Sequence, residues 1–433
     1  MERRPPLSLL CMTLFAALLA ASLAGCAFHP GGAQIAYLRG DQLWVANPDG
    51  SDPRQLAPRD ILSFSWSPDH HELVFRYGSG AAATIPGATW AASEGVSELG
   101  VTSISGGQPT QITPTSQILA RSDAWWDPQG NRLLYREYTP NAGNLIAPIY
   151  IDSQNDQPVG IARKVILGAA TLPTLSADGM RVAVIDPNGA VRVGPPAQVG
   201  SIVAQGALTS LSANNVPARV LWRPGHDALV YLSAGENGAA TLNLLDLTTH
   251  ASHEITSATG LRDAAFSPDG SLLLLALPAS YLVWPMNGQA PRASIQEADP
   301  LAQAYWSPDG RWLLLEDASG ARLIRTNDWS VAGQLTYASA LPEPQVSAAT
   351  LWRPAASSPW SANSSVFTFA SGAARWQNQP LATPAQGATA GLYVEQVTAS
   401  APQGAPTLIA SGPIAAPGWS YPDPSTTLLQ AAA

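Results

Sequence analysis

The last tryptophan of the chain stands in Gly418-Trp419-Ser420-Tyr421-Pro422, a frame in which a serine could serve as a nucleophile. That chemistry needs a sharp strand-to-helix turn with glycine at the fifth position, and a histidine later in the chain to take the proton. Pro422 occupies the fifth position, the chain runs only to Ala433, and no histidine follows Ser420. Ser420 is therefore read as a structural residue.

Six histidines are the next candidates: His29, His70, His71, His226, His250 and His253. His250 and His253 are three apart on an expected turn and strand, a spacing that sends side chains to opposite faces. A structural zinc site takes four ligands and a catalytic one three, so no metal is expected. Asp49 and Asp52, in "NPDGSDP", lack the alternating carboxylates and distal glutamate of a calcium loop. They read as a hairpin turn. A glycosidase-like carboxylate pair across a ring stays open, because separation in sequence says nothing about separation in space. No glycine loop that could cradle a phosphate is present, and no cofactor is called for.

The two cysteines lie close to the N-terminus, at Cys11 and Cys26. Arg3 and Arg4 precede an apolar run, Leu7 to Ala21, and Ser22 leads into Leu23-Ala24-Gly25-Cys26. Charge, apolar run and small residues in this order describe an export signal. The final tetrapeptide resembles the lipobox of bacterial lipoproteins, which implies residues 1–25 as signal peptide, lipidation of Cys26 and a short tether over 26–33. The mature chain would then hold no disulfide, so its core alone must stabilise it. The net charge of −9 argues against nucleic acid as a partner. No basic run exists to hold an anionic lipid surface, which leaves the acyl chains as the anchor.

The remaining chain is organised by a repeat: an aromatic, a polar residue, Pro-Asp-Gly or a variant, then an apolar strand. Clear copies are "AAFSPDGSLLLLA" (264–276) and "AYWSPDGRWLLLE" (304–316). Further copies are "SFSWSPDHHELVF" (63–75), "AWWDPQGNRLLYR" (124–136), "PTLSADGMRVAVI" (173–185), "VLWRPGHDALVYL" (220–232) and "TLWRPAASS" (350–358). Aligned on the aromatic, with Leu175 in one copy, they fall at Trp66, Trp126, Leu175, Trp222, Phe266, Trp306 and Trp352. Proline presets φ, aspartate bonds nearby backbone, and glycine accepts the conformation that closes the turn. The recurrence of Asp69, Asp178, Asp269 and Asp309 at one repeat position marks them as turn formers. A second pattern, best seen in "QLWVANPDGSDPRQL" (42–56), adds two more strands per repeat. Four strands every 40–60 residues without helices predict an all-β fold, a single β-propeller over 34–430 with four-stranded blades.

The composite of W-S-P-D-G followed by L-W-V-A-N-P-D-G-S-D-P-R-Q-L resembles the TolB-type, WD-like propeller repeat. That resemblance implies the fold and says little about function. It departs from TolB proper, because the stretch between Cys26 and Gln34 cannot hold the α/β domain that precedes the propeller there.

The first strands, from Gln34, lack a preceding turn motif, while "APGWSYPDPSTTLLQ" (416–430) is an eighth copy with one residue inserted. Pairing of C-terminal with N-terminal strands would close the ring. Eight blades are expected, with seven as the alternative. Two Ala/Gly/Pro-rich insertions interrupt the repeat, 78–95 with Trp90 and 371–391 with Trp376, and these tryptophans are the binding candidates. The leading expectation is an extracytoplasmic, non-enzymatic scaffold. Lipid at Cys26 would hold it to the cell membrane, or to an outer membrane where the cell has one. A protein or peptide near the bilayer is the expected partner, with a monomer as the default state. Two alternatives stand beside it: a propeller enzyme of lyase or glycosidase type with its site in the central channel, and an accessory lipoprotein of a membrane sensor or transporter, similar to LpqB.

Overall fold

The computed structural model describes residues 34–419 with interruptions, the longest at 79–96, 153–162, 166–173, 338–358 and 377–390. Strands dominate the described residues, in eight antiparallel sheets of three to five strands and one two-stranded hairpin. The eight sheets are blades 1 to 8 in chain order. Within each, strands a to d run from the innermost to the outermost.

Blade 6 shows the plan: Asp263–Phe266, Leu272–Leu277, Ser280–Pro285 and Ala293–Gln296 pair in sequence order. Strand b, LLLLAL, is apolar throughout because a sheet on either side buries both of its faces. Strand d is wetter; in blade 5 it is Ser252–Ala258, mostly exposed or half-buried. Six buried clusters knit the blades together. They join blade 1 to 2, 2 to 3, 4 to 5 and 6, 6 to 7, 7 to 8, and 8 back to 1.

Blade 1 closes the ring. Its strands b, c and d are Ile35–Arg39, Gln42–Ala46 and Arg54–Ala57, and its strand a is Ile414–Trp419 from the far end of the chain. Ile35 lies opposite Trp419 and Ala36 opposite Gly418. Each unpaired sheet edge is a site for unwanted strand addition, and closure removes the largest one. Eight blades, rather than seven, result. Blade 8 is the least regular: Val366–Ser371, Gly391–Gln396 and Thr407–Ser411 form its sheet, and its strand a is reduced to a bridge between Trp360 and Phe367.

In four blades the turn between strands a and b has one construction. In blade 7 the Ser307 hydroxyl donates to Asp309 Oδ1 (2.7 Å) and accepts the Trp312 N–H (2.9 Å). Asp309 Oδ1 in turn accepts the Arg311 N–H (3.0 Å). The same bonds recur around Ser67 and Asp69, Ser176 and Asp178, and Ser267 and Asp269. Gly310 and Gly270 sit at φ +69° and +67°, the left-handed region that a side chain resists.

Blade 8 corrects the sequence alignment. Its turn is built on Trp360, not Trp352: Ser361 donates to Asn363 Oδ1 (2.8 Å) and accepts the Val366 N–H (3.1 Å). Ser364 takes the glycine slot at φ +59°. The "TLWRPAASS" stretch at 350–358 lies outside the described residues.

Candidate functional site: the loop face of the propeller

Every blade presents its a–b and c–d turns at one end and its b–c and d–a connections at the other. These two ends make the two faces of the ring, here the turn face and the loop face. They differ sharply.

The turn face is tight and regular. Neighbouring turns pack on one another: Arg223 Nε donates to the Gly270 carbonyl (2.9 Å), and the Asp309 N–H donates to Ser364 Oγ (3.0 Å). A Cβ on Gly270 would stand 2.4 Å from the Pro224 carbonyl oxygen, so this turn can approach its neighbour only as glycine. The histidines of the described residues gather at this face: His70 and His71 in the a–b turn of blade 2, His226 in that of blade 5, and His250 and His253 about the c–d turn of blade 5. No cluster of three metal-binding side chains occurs among the described residues. Asp49 and Asp52 shape the c–d turn of blade 1, where Asp49 Oδ1 accepts the Ser51 N–H and Asp52 pairs with Arg54 at 3.1 Å. The turn aspartates are held ionised. For Asp69 and Asp309, burial opposes the charge, but hydrogen bonds from the serine hydroxyl and a backbone N–H outweigh it and lower the pKa. At Asp178 the Ser176 hydroxyl is the leading cause of the same shift.

The loop face carries the longest connections, while the turn face holds two of ten residues, 153–162 in blade 3 and 397–406 in blade 8. Residues 79–96 join strand b of blade 2, Glu72–Tyr77, to strand c, Glu98–Ser103. Residues 372–390 do the same between Val366–Ser371 and Gly391–Gln396 of blade 8. Strand d of blade 4, Ser201–Ala204, runs on through a small hairpin, Ser210–Leu211 with Val216–Pro217, before blade 5 begins at Leu221. Residues 338–358 connect strand d of blade 7, Val331–Tyr337, to Trp360.

Two inter-blade ion pairs brace the ends of the strands at this face. Glu98, on strand c of blade 2, accepts from Arg121 on the inner strand of blade 3 at 2.9 Å, with both side chains 1% exposed. The Thr113 hydroxyl donates to the other Glu98 oxygen (2.6 Å), and Ser97 Oγ donates to the Arg121 carbonyl (2.9 Å). Burial, reinforced by the Glu98 charge, raises the pKa of neighbouring Tyr77, so it stays a neutral phenol. Glu297, just after strand d of blade 6, accepts from Arg322 on blade 7. Tyr281, buried beneath Arg262, is pushed up to about 12 and donates to the Ala302 carbonyl at 2.6 Å.

Of the residues singled out in the sequence, Cys26, Trp90 and Ser420 lie outside the described residues. Trp376 does not sit in an open loop. It ends a short strand, Ala374–Trp376, that pairs with the outer strand of blade 7, with Leu335 opposite Trp376. The insertion in blade 8 therefore begins by covering the edge of its neighbour. What sequence reasoning missed is that both insertions occupy the same b–c position. Tyr77 stands eleven residues after Trp66, and Ser371 eleven after Trp360, a match hidden by aligning on Trp352.

No family model and no curated protein matches the chain. Solved structures similar to it include a eukaryotic initiation factor, 11% identical, covering 90% of this chain and 98% of that one at a TM-score of 0.48. TolB from Acinetobacter baumannii is 14% identical, with 93% and 70% covered and a TM-score of 0.35. Porphyromonas gingivalis dipeptidyl peptidase 4 is 11% identical, with 72% and 50% covered and a TM-score of 0.46. The eight-bladed architecture stands on the strand order and register of the chain itself.

Proposed function

We propose that this protein is a lipid-anchored, extracytoplasmic β-propeller that acts as a non-enzymatic binding scaffold through its loop face. One observation carries the reading: the a–b turns are held short and closely packed at the turn face, while the longest connections collect at the other. A rigid ring that bears its variable segments on one side is built as a platform. The chemical candidates outside those segments have structural partners. The repeated aspartates form turns, and Glu98 and Glu297 are committed to arginines. The lipobox-like sequence before Cys26 supports the anchor.

The experiment replaces 79–96 with an Asn-Gly hairpin and compares variant and parent in pull-downs from detergent-solubilised membranes. A single protein recovered in stoichiometric amount with the parent, and lost with the variant, is the expected result. Failure to recover any partner, together with turnover of a glycan or uronate substrate by the purified parent, would replace the scaffold with an enzyme.

A further inference from the structure

The faces of the ring have a fixed relation to the start of its first strand. Ile35 is the first residue of strand b in blade 1 and lies opposite Trp419, the last residue of strand a. In every blade the end of strand a and the start of strand b meet at the turn face. The chain therefore enters the ring at the turn face and leaves its last described strand there too. The longest connections lie at the opposite face.

We infer that the protein rides on the bilayer with its turn face toward the lipid headgroups and its loop face toward the aqueous compartment. This inference rests on the lipid anchor proposed above. Eight residues, 27–34, separate Cys26 from Ile35, so nine steps of ~3.5 Å span at most about 32 Å. Blade 1 meets the tether at its second strand. To bring the loop face down, the tether would have to pass over strands c and d, about 10 Å at the usual strand spacing, and then along the rim. Strands of six residues add about 20 Å more, and that reaches only their ends. A tether of this length serves the turn face directly, whereas the route to the loop face would use nearly all of it. A bound partner then meets the scaffold from the aqueous side and must itself project well clear of the headgroups. A surface buried among membrane helices cannot reach it.

Charge and chemistry at the turn face permit this arrangement. Four of its carboxylates, Asp69, Asp178, Asp269 and Asp309, are tied into their own turns by serine hydroxyls and backbone N–H groups. Arginines stand beside them, Arg181 paired with Asp227 at 2.6 Å and Arg311 with Asp309 at 2.5 Å. Nothing there needs to be stripped of water for the face to lie near headgroups.

The test uses the absence of any cysteine after Cys26. Single cysteines are introduced into the lipidated protein at both ends of one strand, Leu272–Leu277: Ser271→Cys at the turn face and Ala279→Cys at the loop face. A second pair, Met180→Cys and Glu236→Cys, repeats the comparison in blades 4 and 5. Each is labelled with a fluorophore and reconstituted into phosphatidylcholine vesicles carrying nitroxide on the headgroup. Flotation with the vesicles reports the anchor, and quenching reports the orientation. Expected are co-flotation and quenching at 271 and 180 at least threefold stronger than at 279 and 236. Co-flotation with equal or reversed quenching overturns the orientation alone. Loss of co-flotation overturns the anchor, and the orientation with it.

Discussion

His70 occupies the one a–b turn among the described residues where the left-handed slot holds an imidazole, at φ +64°. Side chains pay about 1–2 kcal/mol in that conformation, offset in part by the greater chain freedom of an unfolded glycine. His70→Gly should therefore stabilise the protein by about 0.5–1 kcal/mol in urea unfolding at neutral pH. The gain should grow in mild acid. Burial lowers the His70 pKa below 6.5, with Asp69 working in the opposite sense. As pH falls through 6.5 the unfolded chain takes up a proton before the folded one does, so the parent loses stability there and the variant does not. An equal gain at pH 7.5 and pH 5.5 would rule this out. The buried Glu98–Arg121 pair predicts a larger effect of opposite sign. Glu98→Gln leaves the Arg121 guanidinium without its counter-charge at 1% exposure, a situation that costs roughly 3–5 kcal/mol. A drop in the urea midpoint with unchanged slope is the expected signature.

At the scale of elements, strand a of blade 1 and the turn of blade 8 decide whether the ring closes. Deleting 417–433 removes the residues opposite Ile35 and Ala36 and exposes the inner edge of strand b. A broad loss of thermal stability should follow, with all the blades unfolding together; an unchanged melting temperature would sink the closure. Trp360 is fully buried, stacks on Phe367 at 5.3 Å and donates to the Tyr305 carbonyl at 3.3 Å. Trp360→Ala should cost about 3–5 kcal/mol. The strands were legible in the sequence because Ser-Pro-Asp-Gly writes its own hydrogen bonds, and the closing copy was legible because the first blade lacked an inner strand. Blade 8 was not. Its turn spells Trp360-Ser361-Ala362-Asn363-Ser364, with asparagine and serine doing the work of aspartate and glycine, while Trp352-Arg353-Pro354 imitates the Trp222-Arg223-Pro224 of blade 5. The short strand at Ala374–Trp376 was equally hidden, because it pairs outside its own blade and carries no turn signal. The loop face itself could have been found from the eleven-residue offset, had the right tryptophan been used.

For the whole molecule, one repeated device couples stability to pH. Asp69, Asp178, Asp269 and Asp309 all have pKa values below the ordinary 3.8. Each carboxylate is worth most when charged, since it accepts from a hydroxyl and a backbone N–H at once. A depressed pKa in the folded state means that the unfolded chain binds protons first as pH falls. The stability these groups supply is complete above about pH 4 and is lost as pH drops through their folded values. Four blades carry the same group, so the losses fall together in one pH window and the ring, closed and cooperative, should unfold in a single acid transition. Blade 8 contains the natural control. Asn363 accepts the same two bonds, from Ser361 Oγ at 2.8 Å and the Ser365 N–H at 3.2 Å, without a titrating proton. Replacing the four aspartates by asparagine should keep the turns and reduce the pH dependence. At pH 7 the variant should be weaker, by roughly 0.5–1 kcal/mol per turn as charge-assisted bonds become neutral ones. Between pH 4 and pH 2.5 its unfolding midpoint in urea should fall less than that of the parent. A parallel fall in the two proteins would place the acid sensitivity elsewhere, and the turn face would be a structural collar with no part in it.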